Sequence, residues 1–304
     1  MRTFLSIPLV VLALVACGGG NSDNPPVEEA LPIGIVSLGI TDAPVDSALA
    51  VNIEFTGVAL KPANGDEVVF NYESPVTVNL LDYQGDAAFP LITNENMAAG
   101  EYNWVRLMID AEGGSNIVIS DGSTHSLRIP SGAQTGLKLV SGFTVATGQT
   151  HNFTIDFDLA KSVTNPPGQG QYLLKPALRL VNNLEVGTIA GSVDSELIAA
   201  ACDDPSTNNG AVYVYSDADV TPFEYSADAA PLTAVLLDAE GLFTVGFMMA
   251  GSYTLAYTCD NVADDPELVD NVEGETPLVV FDAAANVDVV AGDTADVTLG
   301  AESP

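Results

Sequence analysis

The chain has 304 residues, with 41 Asp and Glu against 8 Lys and Arg, a formal net charge of −33. Such acidity argues against nucleic acid, whose phosphates need Lys and Arg to displace counterions, and against anionic lipid headgroups. Hydrophobic residues make up 47% and charged residues 16%, so the chain has the apolar matter for folded cores that disordered sequences lack. At roughly 150 residues per domain this length suggests about two domains.

Met1-Arg2 precedes an apolar run from Phe4 to Ala16. A cationic start, a short apolar stretch and small residues before a cut describe a secretory signal peptide. The run is too short to span a bilayer comfortably, which takes about 20 apolar residues. Leu14-Val15-Ala16-Cys17 resembles the bacterial lipobox. That resemblance implies removal of residues 1–16 as a lipoprotein signal peptide and diacylation of Cys17, a lipid attachment that holds where a single acyl chain does not. Gly18, rather than Asp, after the cysteine implies the outer membrane. Residues 17–31, with Gly18-Gly-Gly-Asn-Ser-Asp-Asn-Pro-Pro-Val-Glu-Glu29, then form a lipid-anchored flexible tether. The expected address is the cell envelope, facing the periplasm or the outside.

From residue 33 the pattern is β almost throughout. Val51–Phe55, Val68–Tyr72, Val76–Leu81, Tyr102–Asp110 and Ile117–Ile119 come first, then Leu137–Val145. In His151–Leu159 the residues Phe153, Ile155, Phe157 and Leu159 share one face, and Thr154, Asp156 and Asp158 the other, the period-two signature of a half-buried strand. Tyr172–Val181 closes this region. Asn64-Gly65, Gly113-Gly114, Asp121-Gly122 and Asn165-Pro-Pro-Gly168 punctuate it as turns. Asp156 and Asp158, and Lys175 and Arg179, would form cross-strand pairs if their strands are neighbours.

Near Asn182-Asn-Leu-Glu185 the charge distribution changes. Residues 32–183 hold 15 acidic and 7 basic residues, whereas residues 184–304 hold 23 acidic residues and no Lys or Arg. The β pattern restarts with Gly187–Val193 and continues through Ala211–Tyr215, Leu232–Leu237, Leu242–Phe247, Ser252–Cys259, Leu278–Phe281 and Ala295–Leu299. About seven short strands with turn signals suit a small sandwich. The expected architecture is therefore all-β: two β-sandwich domains, residues 32–183 and 184–304, after the signal peptide and tether. Ala99-Gly-Glu-Tyr102 in the first half is echoed by Ala250-Gly-Ser-Tyr253 in the second. Cys202 and Cys259 are the remaining cysteines, and in an exported chain they form a disulfide most simply.

The first domain resembles the bacterial lipoprotein family known as domain of unknown function 4382. The stretches that carry the likeness include Ser37–Pro44, Asn79–Gly85, Ala99–Tyr102 with Val105–Leu107, Ile129–Gly132, Thr135–Leu139, Thr154–Leu159 and Leu173–Arg179. The resemblance implies location and fold, and no chemistry. The second domain resembles the carboxypeptidase-regulatory, transthyretin-like sandwiches through Gly187–Val193, Ala211–Val214, Gly241–Val245 and Ala250–Leu255. That resemblance implies a non-catalytic module.

Catalytic chemistry is thinly supplied. The two histidines are His125 and His151, and neither an H-E-x-x-H nor a G-x-S-x-G pattern occurs. Asp121-Gly-Ser-Thr-His125 holds three triad residue types, but a triad converges from separate elements, whereas Asp-Gly reads as a hairpin turn. His151 falls in phase with Phe153, at a core margin. The absence of lysine from residues 184–304 rules out a Lys–Asn isopeptide bond there. The one cofactor suggested is calcium, through the carboxylates of Asp260, Asp264, Asp265 and Glu267 in a loop after Cys259, since Ca²⁺ takes six to eight oxygens. Lys61, Arg106, Arg128, Lys138, Lys161, Lys175 and Arg179 raise the alternative of a cationic pocket for an acidic ligand. Tyr213 with Tyr215, and Phe223 with Tyr225, are in phase and form either a glycan platform or packed core. These readings converge on a non-enzymatic, lipid-anchored binding or structural module with an envelope protein or polysaccharide as partner. The alternative is a carbohydrate-binding module acting through the C-terminal sandwich.

Overall fold

Alternating β-branched and aromatic residues build twenty strands in the computed structural model, which describes residues 32–43, 48–110, 114–130, 136–165, 172–226, 230–264 and 277–300. The first half holds β1 (Ile33–Ala43), β2 (Ala48–Pro62), β3 (Val68–Asn79), β4 (Phe89–Ala98), β5 (Gly100–Ile109), β6 (Asn116–Ile119) and β7 (Thr124–Arg128). It continues with β8 (Leu137–Leu139), β9 (Phe143–Val145), β10 (Thr150–Asp158), α1 (Leu159–Ser162), β11 (Val163–Thr164), β12 (Tyr172–Leu174) and β13 (Leu178–Asn182). One sheet runs β13-β10-β1-β4; the other runs β11-β12-β7-β6-β2-β5-β8, with β3 on β2 and β9 on β5. Val36, Leu38 and Ile40 of β1 and Phe153, Ile155 and Phe157 of β10 share one buried core with Val51, Ile53 and Phe55 of β2 and Val105 and Leu107 of β5. The period-two reading of residues 151–159 thus gives one wall of a sandwich.

The second half comprises β14 (Val186–Val193), α2 (Ser195–Ala201), β15 (Ala211–Ser216), β16 (Thr233–Leu236), β17 (Leu242–Met249), β18 (Gly251–Thr258), β19 (Ala283–Val289) and β20 (Thr294–Leu299). Its sheets run β17-β14-β20 and β16-β15-β18-β19, around a core that includes Ile189, Val212, Val214, Phe243, Leu255 and Tyr257. The molecule is all-β, with each half a sandwich.

The local echo in the sequence marks a repeated corner. The chain leaves β4 through Ala99 into β5, and β17 through Ala250 into β18, each time crossing from one sheet to the other. Tyr102 Oη donates to Ala98 O at 2.9 Å, and Tyr253 Oη donates to Met249 O at 2.7 Å. Ala99 N donates to Pro32 O and Ala250 N to Glu185 O, in each half the residue just before the first strand. Further on, Gly148 N donates to Ile33 O and Ile35 N to Gln149 O; Gly292 N donates to Val186 O and Thr188 N to Asp293 O. Each first strand then pairs in parallel with a late one, β1 with β10 and β14 with β20. Gly100 faces Val145 as Gly251 faces Val289. A Cβ on Gly34 meets Ala146 O at 2.6 Å, and one on Gly187 meets Val290 O at 2.4 Å, so both positions need the missing side chain. Behind the different sequences stands one strand plan used twice, with β6, β7, β11, β12 and β13 as additions in the first half.

The halves pack together: residues 32–304 form one compact unit. Lys161 Nζ donates to Pro231 O at 2.6 Å and Leu232 O at 3.3 Å, and also pairs with Asp158 at 3.1 Å. Asp156 and Arg179 are cross-strand neighbours on β10 and β13, with Arg179 Nε donating to Asp156 Oδ2 at 2.6 Å, the opposite-charge pair that the sequence suggested. Lys175 lies before β13 and takes no part in that pairing, so Asp158 uses Lys161 instead. The polar face of β10 is also covered: Thr154 is 1% exposed, with its hydroxyl on Asn183 Oδ1. Asp156 and Arg179 line a crevice with Thr233, Val235 and Thr244 of the second half.

Several expected strands change. Leu137–Val145 breaks into β8 and β9 at Val140-Ser-Gly142, where Val140 turns out to solvent. Tyr172–Val181 breaks at Lys175-Pro-Ala177, because Pro176 has no N–H to give a ladder. Leu278–Phe281 is bend and coil. Alternation did not mark α2, which begins where the Asp194 carboxylate accepts from Glu196 N. Strands β4, β7 and β19 also lack a clear apolar alternation, β19 being rich in alanine.

Candidate functional site

Two of the first half's seven cations, Arg106 and Lys138, converge on the chain's single tryptophan. Along β5, Trp104, Arg106 and Met108 point away from the core while Val105, Leu107 and Ile109 point into it. The antiparallel register sets Lys61 of β2 opposite Trp104, Ala59 opposite Arg106, and Lys138 of β8 opposite Arg106 on the other side. The Lys138 ammonium lies 4.5 Å and the Arg106 guanidinium carbon 4.9 Å from the Trp104 ring centroid, cation–π contacts that hold both charges in place. Arg106 Nη2 pairs with Glu67, while its Nε is buried without an acceptor among the described residues. Lys61 Nζ donates to Gly65 O at 2.7 Å. One guanidinium and one ammonium against one carboxylate leave excess positive charge on a surface of an acidic protein. Such an arrangement can attract and orient an anionic group. Arg106 and Lys138 were among the cations singled out in the sequence; Trp104 was not, and only the β5–β8 pairing reveals it.

The acidic loop has other partners. Cys202 and Cys259 are disulfide-bonded, with Cα atoms 5.3 Å apart, tying the end of α2 to the end of β18. Asp260 Oδ2 accepts from Val280 N at 2.9 Å. Asp264 accepts from Tyr213 Oη at 2.8 Å and from Tyr225 N at 3.2 Å. Asp265 and Glu267 lie outside the described residues, as does Cys17. Among the described residues, no three His, Cys, Asp or Glu side chains gather as a metal group would require. Burial, and then the nearby Asp260, raise the Asp282 carboxyl above its ordinary range.

Of the aromatics read as either a glycan platform or packed core, Tyr213 and Tyr215 are packed, whereas Phe223 is 43% exposed. Tyr213 and Tyr215 are 1% and 2% exposed. They lie on the outward face of their sheet, but Phe281 and Tyr225 cover them: the Tyr213 ring is 5.1 Å from Tyr225 and 5.4 Å from Phe281. Tyr215 Oη donates to Phe223 O at 2.6 Å, and burial raises its pKa strongly. Alternation told which side these rings take, but not that loops roof that side.

His151 is buried, and its Nε2 accepts from Ala146 N at 2.9 Å in the turn before β10. A cleft of about 320 Å³ beside it is lined by Phe143, Phe153, Leu180 and Met249. Asp121-Gly122 does form the β6–β7 hairpin turn, with Ile119 N donating to Ser123 O. Ser123 Oγ lies 2.8 Å from His125 Nε2, but the Asp121 carboxylate accepts from Ser123 N. Two triad residues thus touch, while the third caps the turn.

Residues 33–176 match the family model described as domain of unknown function (DUF4382), ending just before β13. No curated protein matches the chain. Among solved structures, the Bacillus anthracis TIE protein aligns at 12% identity and a TM-score of 0.20, over 88% of this chain and 33% of that one. The chain therefore spans a third of that protein's length. The minor pilin GBS52 of Streptococcus agalactiae aligns at 12% identity and a TM-score of 0.21, over 88% and 97%. A double mutant of the shaft pilin SpaA from Lactobacillus rhamnosus GG aligns at 8% identity and a TM-score of 0.22, over 90% and 100%. Scores this low carry no argument about this chain.

Proposed function

We propose that the chain is a non-catalytic binding or structural module of the cell envelope, anchored through lipid on Cys17. The observation that carries this reading is the use of its reactive side chains within the fold. His151 satisfies a backbone N–H, Asp121 caps a turn, and the Tyr102 and Tyr253 hydroxyls donate to backbone carbonyls. The lipobox-like Leu14-Val15-Ala16-Cys17 and the tether that follows support the anchor. Mass spectrometry of the protein from a membrane fraction is expected to find an acylated N-terminal peptide beginning at Cys17; an unmodified cysteine, or a protein free of membrane, overturns the anchor. Hydrolase activity on a broad ester and peptide panel, lost in His125→Ala, overturns the non-catalytic reading, because Ser123 and His125 are already in contact.

A further inference from the structure

The repeated strand plan makes one face of each half directly comparable. In the second half, the outward side of β15 and β18 is sealed: Ala211, Tyr213, Tyr215, Ala234 and Ala256 form a buried cluster under Tyr225 and Phe281. The equivalent side of β2 and β5 in the first half has no such roof and is partly exposed: Ala59 is buried and Trp104 and Arg106 are half-buried, but the rim reaches solvent. Lys138 is exposed, the Glu67 side chain is 42% exposed, and Val69, across from Ala59, is 39% exposed. This unroofed face carries Trp104 with the Arg106 and Lys138 cations over its ring.

We propose that this face binds carboxylate groups of an acidic polysaccharide, with Lys138 and Arg106 as the anion contacts and Trp104 as the platform that aims them. Four observations favour that ligand. The cations stand on the outer side of a sheet, with Lys138 exposed, and not inside an enclosed cavity, which suits an extended polymer rather than a small enclosed molecule. Arg106 spends one nitrogen on Glu67, so its pairing is partial. Lys138 is held by a ring and by no carboxylate among the described residues. The acidity concentrated in residues 184–304 is screened beyond about 8 Å at physiological salt, so a local cationic patch acts on a ligand despite the net charge of −33. The inference deepens the binding reading above, and the lipid anchor can fail without affecting it.

Trp104 is the chain's only tryptophan, so its emission reports on this face alone. Titrating the purified full chain with polygalacturonate at physiological salt is expected to shift that emission saturably, and raising NaCl to 0.5 M to weaken binding about tenfold or more. Dextran, the neutral control, is expected to leave the emission unchanged. Lys138→Ala removes an exposed side chain and is expected to lose about fivefold in affinity with an unchanged melting temperature; Lys138→Arg is expected to restore it. No emission shift with polygalacturonate, or equal affinity in Lys138→Ala, overturns the proposal. Inorganic phosphate competing as well as the polymer, or low-salt self-association abolished by Lys138→Ala, also overturns it, in favour of a small-anion site or a second copy's acidic half.

Discussion

The two halves build the same corner, the same parallel first strand and the same glycine contact, yet present opposite surfaces. The first half keeps every cation of residues 32–304 and leaves its β2–β5 face unroofed and partly exposed; the second has no lysine or arginine, a disulfide, and an outward face closed over two tyrosines. The difference teaches that the strand plan sets stability while the segments inserted into it decide surface chemistry. The insertion between β5 and β9 supplies Lys138, and the one between β18 and β19 supplies Cys259, Asp264 and Phe281. The same position in the plan makes a cationic platform in one half and a roof in the other.

The largest expected effect separates the halves. Replacing both Cys202 and Cys259 with serine is expected to cost about 2–4 kcal/mol, because the bond closes a long loop in the unfolded chain. Hydrogen exchange is expected to quicken in β14–β20 and to change little in β1–β13; equal loss in both breaks the claim that the bond serves the second half.

Gly34→Ala and Gly187→Ala come next. A Cβ at either position meets carbonyl oxygens that belong to the turn before the parallel strand, and overpacking of this kind costs about 1–3 kcal/mol. Urea denaturation is expected to give losses of similar size, and tolerance of one change alone shows that the corners are not equivalent.

The corner tyrosines give a smaller effect. Tyr102→Phe and Tyr253→Phe each strip a hydrogen bond from a carbonyl, at about 1 kcal/mol apiece. Matching values in thermal melts sharpen the equivalence, and a null result at either tyrosine breaks it.

The smallest effect is a pH dependence just above 10. Burial pushes the Tyr72 and Tyr257 hydroxyls up to about 12, one in each half. The folded chain then keeps protons that the unfolded chain releases, so stability is complete below pH 10 and falls as pH rises toward 12. Urea melts at pH 9 and 10.5 are expected to differ, with Tyr72→Phe and Tyr257→Phe each flattening the difference; a slope unchanged by either variant removes that half's contribution.

Much of this comparison could be read from residue order, and the rest could not, for a physical reason. Period-two alternation exposed β10, opposite charges on two strands anticipated Asp156 with Arg179, and a four-residue echo marked the corners. These signals are local, or rest on one strand pairing. The cationic platform needs Lys138 brought beside Arg106 across a sheet, and no spacing along the chain states that register. The closed fate of Tyr213 and Tyr215 depends on Phe281, a residue read as part of a strand and found in coil. Alternation specifies which residues share a side; it leaves open whether that side meets water.

The parallel pairing of each first strand also orders events in time. Ile35 waits for Thr150 and Thr188 for Thr294, so neither opening strand gains its late neighbour until nearly the whole of its half has been made. Such distant closure is slow, because the chain gives up its freedom before the contacts reward it. A polypeptide arriving N-terminus first therefore seals its cationic half while the acidic half is still growing. The later half closes only when its last strand arrives, with an already folded neighbour to close against.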